Sequence, residues 1–281
     1  MNHGTDPQPT NPPWRQVSIQ FDDYSAAEHT GVTHLAPEMT NAETAGLITS
    51  WFFIRKSPCW RLRFLPSHDK TERDATTVIH QRLTTLRDAC HIASWVDTRY
   101  EPETHAFGGT AAMDLAHHLF HSDSQHILAH LRAATPGGRG GRRRELSILL
   151  CSILMRDAGQ DWYEQGDIWA RVAEHRSLPP GAPFDRLRTM EPDLRKLMTV
   201  DASPTSPLLK ETGPLTFISD WASVFGEVGR ALGSLACKGT LRRGVRAVLA
   251  HHIIFHWNRL GLPHTTQSIL ANVAKTVVLG Q

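Results

Sequence analysis

Two polar stripes run along an otherwise apolar stretch near the C-terminus, GVRAVLAHHIIFHWNRLGL at residues 244–262. At helical spacing His252, His256 and Arg259 recur at i, i+4 and i+7 and share one face, while His251 and Asn258 line the neighbouring one. Burying such groups without hydrogen bonds is costly. The face therefore either lines a polar cleft or satisfies a buried network. In the first case His252 and His256 are candidate proton shuttles, because imidazole titrates near neutrality. His251, Asn258 and Arg259 are then candidate contacts to a substrate carbonyl or leaving group.

Two other segments carry chemistry-bearing side chains. In WRLRF, Arg61 and Arg63 stand two apart, so on a strand they share a face while Leu62 and Phe64 point to the core. Paired guanidiniums can grip a carboxylate or a peptide carbonyl through their planar forks of donors; a solvated strand face is the plainer alternative. YEPETHAFGG (100–109) places Tyr100 and His105 before a glycine turn, with Thr110 able to cap the helix that follows. That helix carries His117 and His121 four apart. A metal site needs a third and fourth ligand, so no metal is expected from this pair.

The elements that must hold these residues read as follows. Residues 14–21 alternate and form a strand, 22–40 form a loop, and Asn41 caps a short helix at 44–49. WFFIRK and WRLRFL make a β-hairpin about the turn 57–59; 69–89 is an amphipathic helix and 92–100 a strand. The second half reads as helices at 113–134, 145–158, 162–175, 217–237, 241–260 and 265–278. TPGGRGGRRR (135–144) is a basic linker, and the Pro-rich 178–216 is mostly loop around a short helix at 193–199. The expected fold is α+β: an antiparallel or mixed sheet packed with helices in the N-terminal half, and a largely helical C-terminal half. Residues 1–13 read as a disordered tail and 14–281 as one domain.

The bulk numbers exclude some classes. The net charge of +2 gives no sign of a nucleic-acid binder. No apolar run is long enough to span a membrane, and the polar N-terminus lacks the core of a signal peptide. The four cysteines form no CxxC pair and sit in apolar contexts. A reduced, cytoplasmic protein is the expectation.

The stretches WFFIRKSPCWRLRFLP, YEPETHAFGG and HHIIFHWNRLGL together resemble the C-terminal domain of lantibiotic dehydratases, with the likeness running over about residues 14–279. The resemblance implies a leader-bearing precursor peptide as partner, and Arg61, Arg63 and Tyr100 as its contacts. In members that eliminate glutamate, the second stretch looks like Y-x-P-E-x-x-R-Y-G-G and the third contains H-M-x-x-N-R. Here Ala106 stands at the Arg and Ile254 at the catalytic His. Loss of both, on a retained scaffold, implies a changed reaction on a similar substrate. The family's pyridine synthases fit: they join two dehydroalanines of a thiopeptide precursor in a formal aza-[4+2] cycloaddition, losing water and the leader. Such chemistry requires positioning and proton transfer, with His252, His256 and His105 as candidates, and no cofactor. The alternatives are a split glutamate eliminase with relocated residues, and a non-catalytic partner that presents the leader to a dehydratase. Other enzymes of the pathway are further potential partners, and Arg142–Arg144 either attract an acidic leader or form a solvated loop.

Overall fold

The structure, a computed structural model, describes residues 14–67, 72–133, 142–179, 184–203 and 205–280. The expected tail and most of the basic linker lie outside these residues. The chain forms two compact units that divide between Glu101 and Pro102.

The first unit is built on an antiparallel sheet in the order β2-β3-β1-β4. Its strands are β1 (Arg15–Gln20), β2 (Ile48–Lys56), β3 (Cys59–Pro66) and β4 (Ser94–Thr98). The expected hairpin is β2–β3. Register sets Val17 beside Leu62 and Leu62 beside Phe53, so the centre of one sheet face is apolar and buried. Helices α2 (Ala36–Thr44) and α3 (Glu72–Asp88) pack on the sheet. The opposite face carries Gln16, Ser18, Phe52, Ile54, Arg61 and Arg63, the alternation that the sequence implies.

Two expectations in this unit are corrected. Residues 22–40 are not a loop: α1 (Ala27–Thr30), a π-turn over Gly31–Leu35 and α2 run on as one helical segment. Nor does a helix span 44–49, because Thr44 ends α2, Gly46 turns the chain at φ 67 and β2 begins at Ile48. The misleading residues have specific jobs. Pro37 sits in the first turn of α2, where its missing N–H costs nothing. Gly31 lies under the Trp60 ring, and a Cβ there would stand 2.5 Å from the ring edge.

The second unit is helical: α4 (Thr110–Ala133), α5 (Arg143–Asp157), α6 (Trp162–His175), α7 (Phe184–Thr199), α8 (Ser219–Cys237), α9 (Val245–Leu260) and α10 (His264–Leu279). Helix α7 is much longer than the short helix expected at 193–199, since Pro192 lies inside it rather than ending it. Asp161 and Glu164 form a reciprocal capping box that fixes the start of α6. Close approach of α8 to α5 depends on Gly229, where a Cβ would come within 2.5 Å of the Leu154 carbonyl oxygen. Helix α9 touches α4, α5, α6 and α8 and ends on Gly261 in the left-handed conformation.

Gly31→Ala should destabilise the protein by about 1–3 kcal/mol through overpacking against Trp60. Urea denaturation checks this, and in a Trp60→Leu background the added penalty should largely vanish. An equal loss in both backgrounds would place the cost elsewhere.

Candidate functional site

Helix α9 carries two polar stripes with opposite fates. His252, His256 and Arg259 are 1%, 0% and 0% exposed, so this stripe faces the interior of the helical unit. At its centre lies a residue the sequence reading passed over, Asp123 of α4, itself 0% exposed. The Asp123 carboxylate accepts from Arg259 Nε at 2.8 Å, from His256 Nδ1 at 3.0 Å and from Trp221 Nε1 at 2.9 Å. Burial by itself raises the Asp123 pKa, yet the charges and hydrogen bonds of His256 and Arg259 together hold it below the usual carboxylate value. One carboxylate thus ties α4, α8 and α9 together. A signal for it existed: Asp123 occupies the gap in the apolar stripe Leu119–Ile127–Leu131, a place where an unpaired charge is not tolerated.

His252 lies against Phe107 at 4.9 Å and Phe120 at 6.1 Å between ring centroids. Its pKa is lowered to about 3, first by burial, then by the neighbouring Arg259 and His251. A neutral imidazole in this setting is a poor proton carrier near pH 7. Of the two readings of the 252/256/259 stripe, the buried network matches His256 and Arg259. His252 is equally buried, but neither of its ring nitrogens has a hydrogen-bond partner among the described residues, and the cleft-lining role expected of all three does not fit their burial.

The neighbouring stripe is half-open: His251, Phe255 and Asn258 all remain partly exposed. His251 Nδ1 faces the Ala247 carbonyl at 3.0 Å. A carbonyl only accepts, so Nδ1 carries the proton and Nε2 keeps its lone pair. The His251 pKa is lowered by burial; the Ala247 hydrogen bond opposes this, and Arg243, His175 and Arg176 add to it. The outcome is a neutral base near pH 7. The turn at 102–109 is fastened beside the start of this helix: Arg242 N–H donates to the Gly108 carbonyl at 2.7 Å and Arg243 Nη1 to the Ala106 carbonyl at 2.9 Å. His105 is exposed on that turn. Asn258 Oδ1 accepts from Gln267 at 3.1 Å, and Gln267 Oε1 in turn accepts from Arg176 Nε at 2.7 Å. Arg176 and Arg243 lie at a helix end and in a loop, where no periodicity marks them.

In the sheet unit the paired arginines part company. Arg63 is 3% exposed, donates to Gln16 Oε1 at 2.7 Å, and lies over the rings of Tyr100 at 4.1 Å and Phe52 at 5.3 Å. Trp14 packs edge-on against both rings. Arg61, across from Ser18 and Ile54, is half-buried. A cavity of about 350 Å³ beside the aromatic cluster is lined by Gln16, Thr98, Arg99 and Tyr100, among others. Arg142 and Arg144 are exposed at the start of α5, whereas Arg143 donates to the Leu260 carbonyl at 3.4 Å. Among the described residues no group of three potential metal ligands occurs, and no helix is long and apolar enough to cross a membrane.

The buried network generates two predictions. An unfolded histidine titrates near 6.5 and His252 at about 3, so between these values the unfolded chain binds more protons. Stability contributed by neutral His252 is therefore full above pH 6.5 and is lost as pH falls toward 3, by about 5 kcal/mol in all. Denaturation midpoints measured across this window should flatten in His252→Phe; an unchanged slope would move the titration elsewhere. Asp123→Asn, which strands the Arg259 charge, should cost about 3–5 kcal/mol at pH 7 by urea unfolding. A loss under 1 kcal/mol would remove Asp123 from its central place.

The comparisons with known proteins bear on the fold as a whole. No curated protein sequence matches this one. Solved structures that share the fold at low identity include the following three. The tRNA-dependent lantibiotic dehydratase MibB from Microbispora sp. 107891 is 19% identical, with a TM-score of 0.69 over 98% of this chain. This chain spans only 29% of that dehydratase. TsrL is 18% identical, with a TM-score of 0.64 over 94% of this chain and 97% of its own. The pyridine synthase TbtD from thiomuracin biosynthesis is 14% identical, with a TM-score of 0.59 over 95% of this chain and 98% of its own. The sequence model described as "Lantibiotic biosynthesis dehydratase C-term" matches residues 14–278, across both units, and the chain belongs to that family.

Proposed function

We propose that this protein is a pyridine synthase of thiopeptide assembly, acting on a leader-bearing precursor peptide with two dehydroalanines. The observation that carries the reading is the register of α9. The position that aligns with the eliminating histidine is Ile254, which is 8% exposed, and the imidazole left on the half-open stripe is His251. Ala106, where the eliminating members carry an arginine, supplies only its carbonyl, which accepts from Arg243. Elimination thus lacks both of its groups while a neutral base remains. Similarity to the pyridine synthase TbtD along nearly the whole of both chains supports the same direction.

The chemistry divides into proton transfers on a folded peptide. In the first, His251 Nε2 takes the N–H proton of one dehydroalanine-flanking amide while a donor protonates its carbonyl oxygen, giving the iminol and hence a 2-azadiene. The second alkene adds across it, forming two C–C bonds, one of them to the former carbonyl carbon. The former carbonyl oxygen then leaves as water with a proton from the imidazolium. One ring proton is lost with that water; finally the C–N bond to the leader breaks, the leader departs as a carboxamide after taking a proton from the acid, and a second ring proton is lost as the pyridine aromatises. His105, exposed on the turn beside α9, is the second proton donor, in place of buried His252 and His256. Arg61 and the Tyr100 cavity are the peptide contacts proposed for the sheet unit, and Arg63 orients Tyr100. Holding two distant alkenes in contact supplies most of the acceleration, since effective molarity in a positioned pair far exceeds that in solution.

Mass spectrometry of the protein with a leader-bearing bis-dehydroalanine peptide should show macrocycle and released leader carboxamide. His251→Gln should slow ring formation at least ~100-fold, as loss of a general base does. His252→Phe should stay within a few-fold of the parent. Release of dehydroalanine from a glutamylated peptide, or full ring formation by His251→Gln, would overturn this assignment.

A further inference from the structure

Half-buried arginines are ordinarily compensated by carboxylates, and Arg246 on α9 shows the usual arrangement. It bonds Glu164 and Asp167, both at 2.5 Å, and its pKa is raised, first by the Glu164 hydrogen bond. Arg176 and Arg243 are different. Arg176 donates to the amide oxygen of Gln267 at 2.7 Å and to the His175 carbonyl at 2.9 Å. Arg243 donates to the Ala106 carbonyl at 2.9 Å. Every one of these acceptors is neutral. Burial lowers the Arg176 pKa, with no acidic group acting against it. Both guanidiniums act on His251 from outside its own helical turn, and His175 meets the same imidazole edge-on at 5.5 Å.

Two guanidiniums thus act on one half-open imidazole, and neither has an ion-pair partner among the described residues. The backbone offers little relief. The negative end of α6 stands behind His175 and Arg176, while the positive end of α9 follows Arg243, each equivalent to roughly half a charge. The neutral acceptors fix each guanidinium in place and leave several of its five N–H groups unused, which is pre-organisation for an anion.

We propose that Arg176 and Arg243, together with His175 and His251, form an anion-accepting site that seats a carboxylate side chain of the peptide acted upon. This rests on the reading of the 251/255/258 stripe as the reacting face, and it adds a requirement: an acidic residue of the peptide, docked beside the base. A bound carboxylate also stabilises the imidazolium that forms when His251 takes a proton, so binding and base strength are coupled.

The test uses the full-length protein with ¹³Cε1-labelled histidine, the His251 resonance being assigned from its loss in His251→Gln. The probes are two blocked tripeptides, acetyl-Gly-Glu-Gly-amide and its Gln counterpart. The Glu peptide should shift the His251 signal saturably and the Gln peptide should not. Arg176→Gln with Arg243→Gln should weaken the response at least tenfold, and Arg176→Lys with Arg243→Lys should restore most of it, because charge rather than fold is at issue. Equal responses to both peptides, no response to either, a Glu response that survives the Gln substitutions, or lysine variants no better than glutamine ones would each overturn the site. Ring formation is not read in this experiment, so pyridine synthesis can fail its own assay while the anion site stands, and the reverse.

Discussion

The helical unit depends on one buried carboxylate. Asp123 gathers a guanidinium, an imidazole and an indole N–H in an environment with no exposure to solvent. A carboxylate removed from water without partners costs several kcal/mol or more, so the three helices that supply those partners cannot drift apart independently. That constraint fixes the rotation of α9 about its own axis. Once His256 and Arg259 must point at Asp123, His252 goes inward beside them and His251, Phe255 and Asn258 are left facing out. The stripe proposed to do chemistry is chosen by the stripe that is buried.

This division separates the residues that fix the fold of α9 from those left open to solvent. The buried side of α9 is occupied by fold-determining groups, while the imidazole on the open side, three positions before Ile254, is that of His251. The two arginines beside it arrive from a helix end and from a loop, segments that change without disturbing the core. Their neutral partners, Gln267 and the backbone carbonyls of Ala106 and His175, hold the guanidiniums rigidly without cancelling their charge.

Much of this was legible in the sequence. Alternation in WRLRF placed Leu62 and Phe64 in the core and Arg61 and Arg63 on the other face, and the order of strands and helices in the first unit came out as expected. Helical spacing identified both stripes of α9. What spacing cannot reveal is which of two adjacent polar stripes turns inward, because that depends on a partner 133 residues away in sequence. The breakers misled for local reasons: Gly31 is a packing residue beneath Trp60, Pro37 a first-turn residue, and Pro192 sits within a helix held by its neighbours. Arg63 looked solvent-facing because its cover, Tyr100 and Phe52, comes from other strands and from the segment after β4.

The central claim is that α9 presents His251 outward and holds His252 and His256 inside. Diethyl pyrocarbonate labelling of the native protein, located by tandem mass spectrometry, tests it directly, since the reagent needs an accessible neutral imidazole nitrogen. The account predicts acylation of His251 at Nε2 with His252 and His256 protected until the protein is unfolded. Labelling of His252 or His256 as fast as His251 in the native state would contradict it.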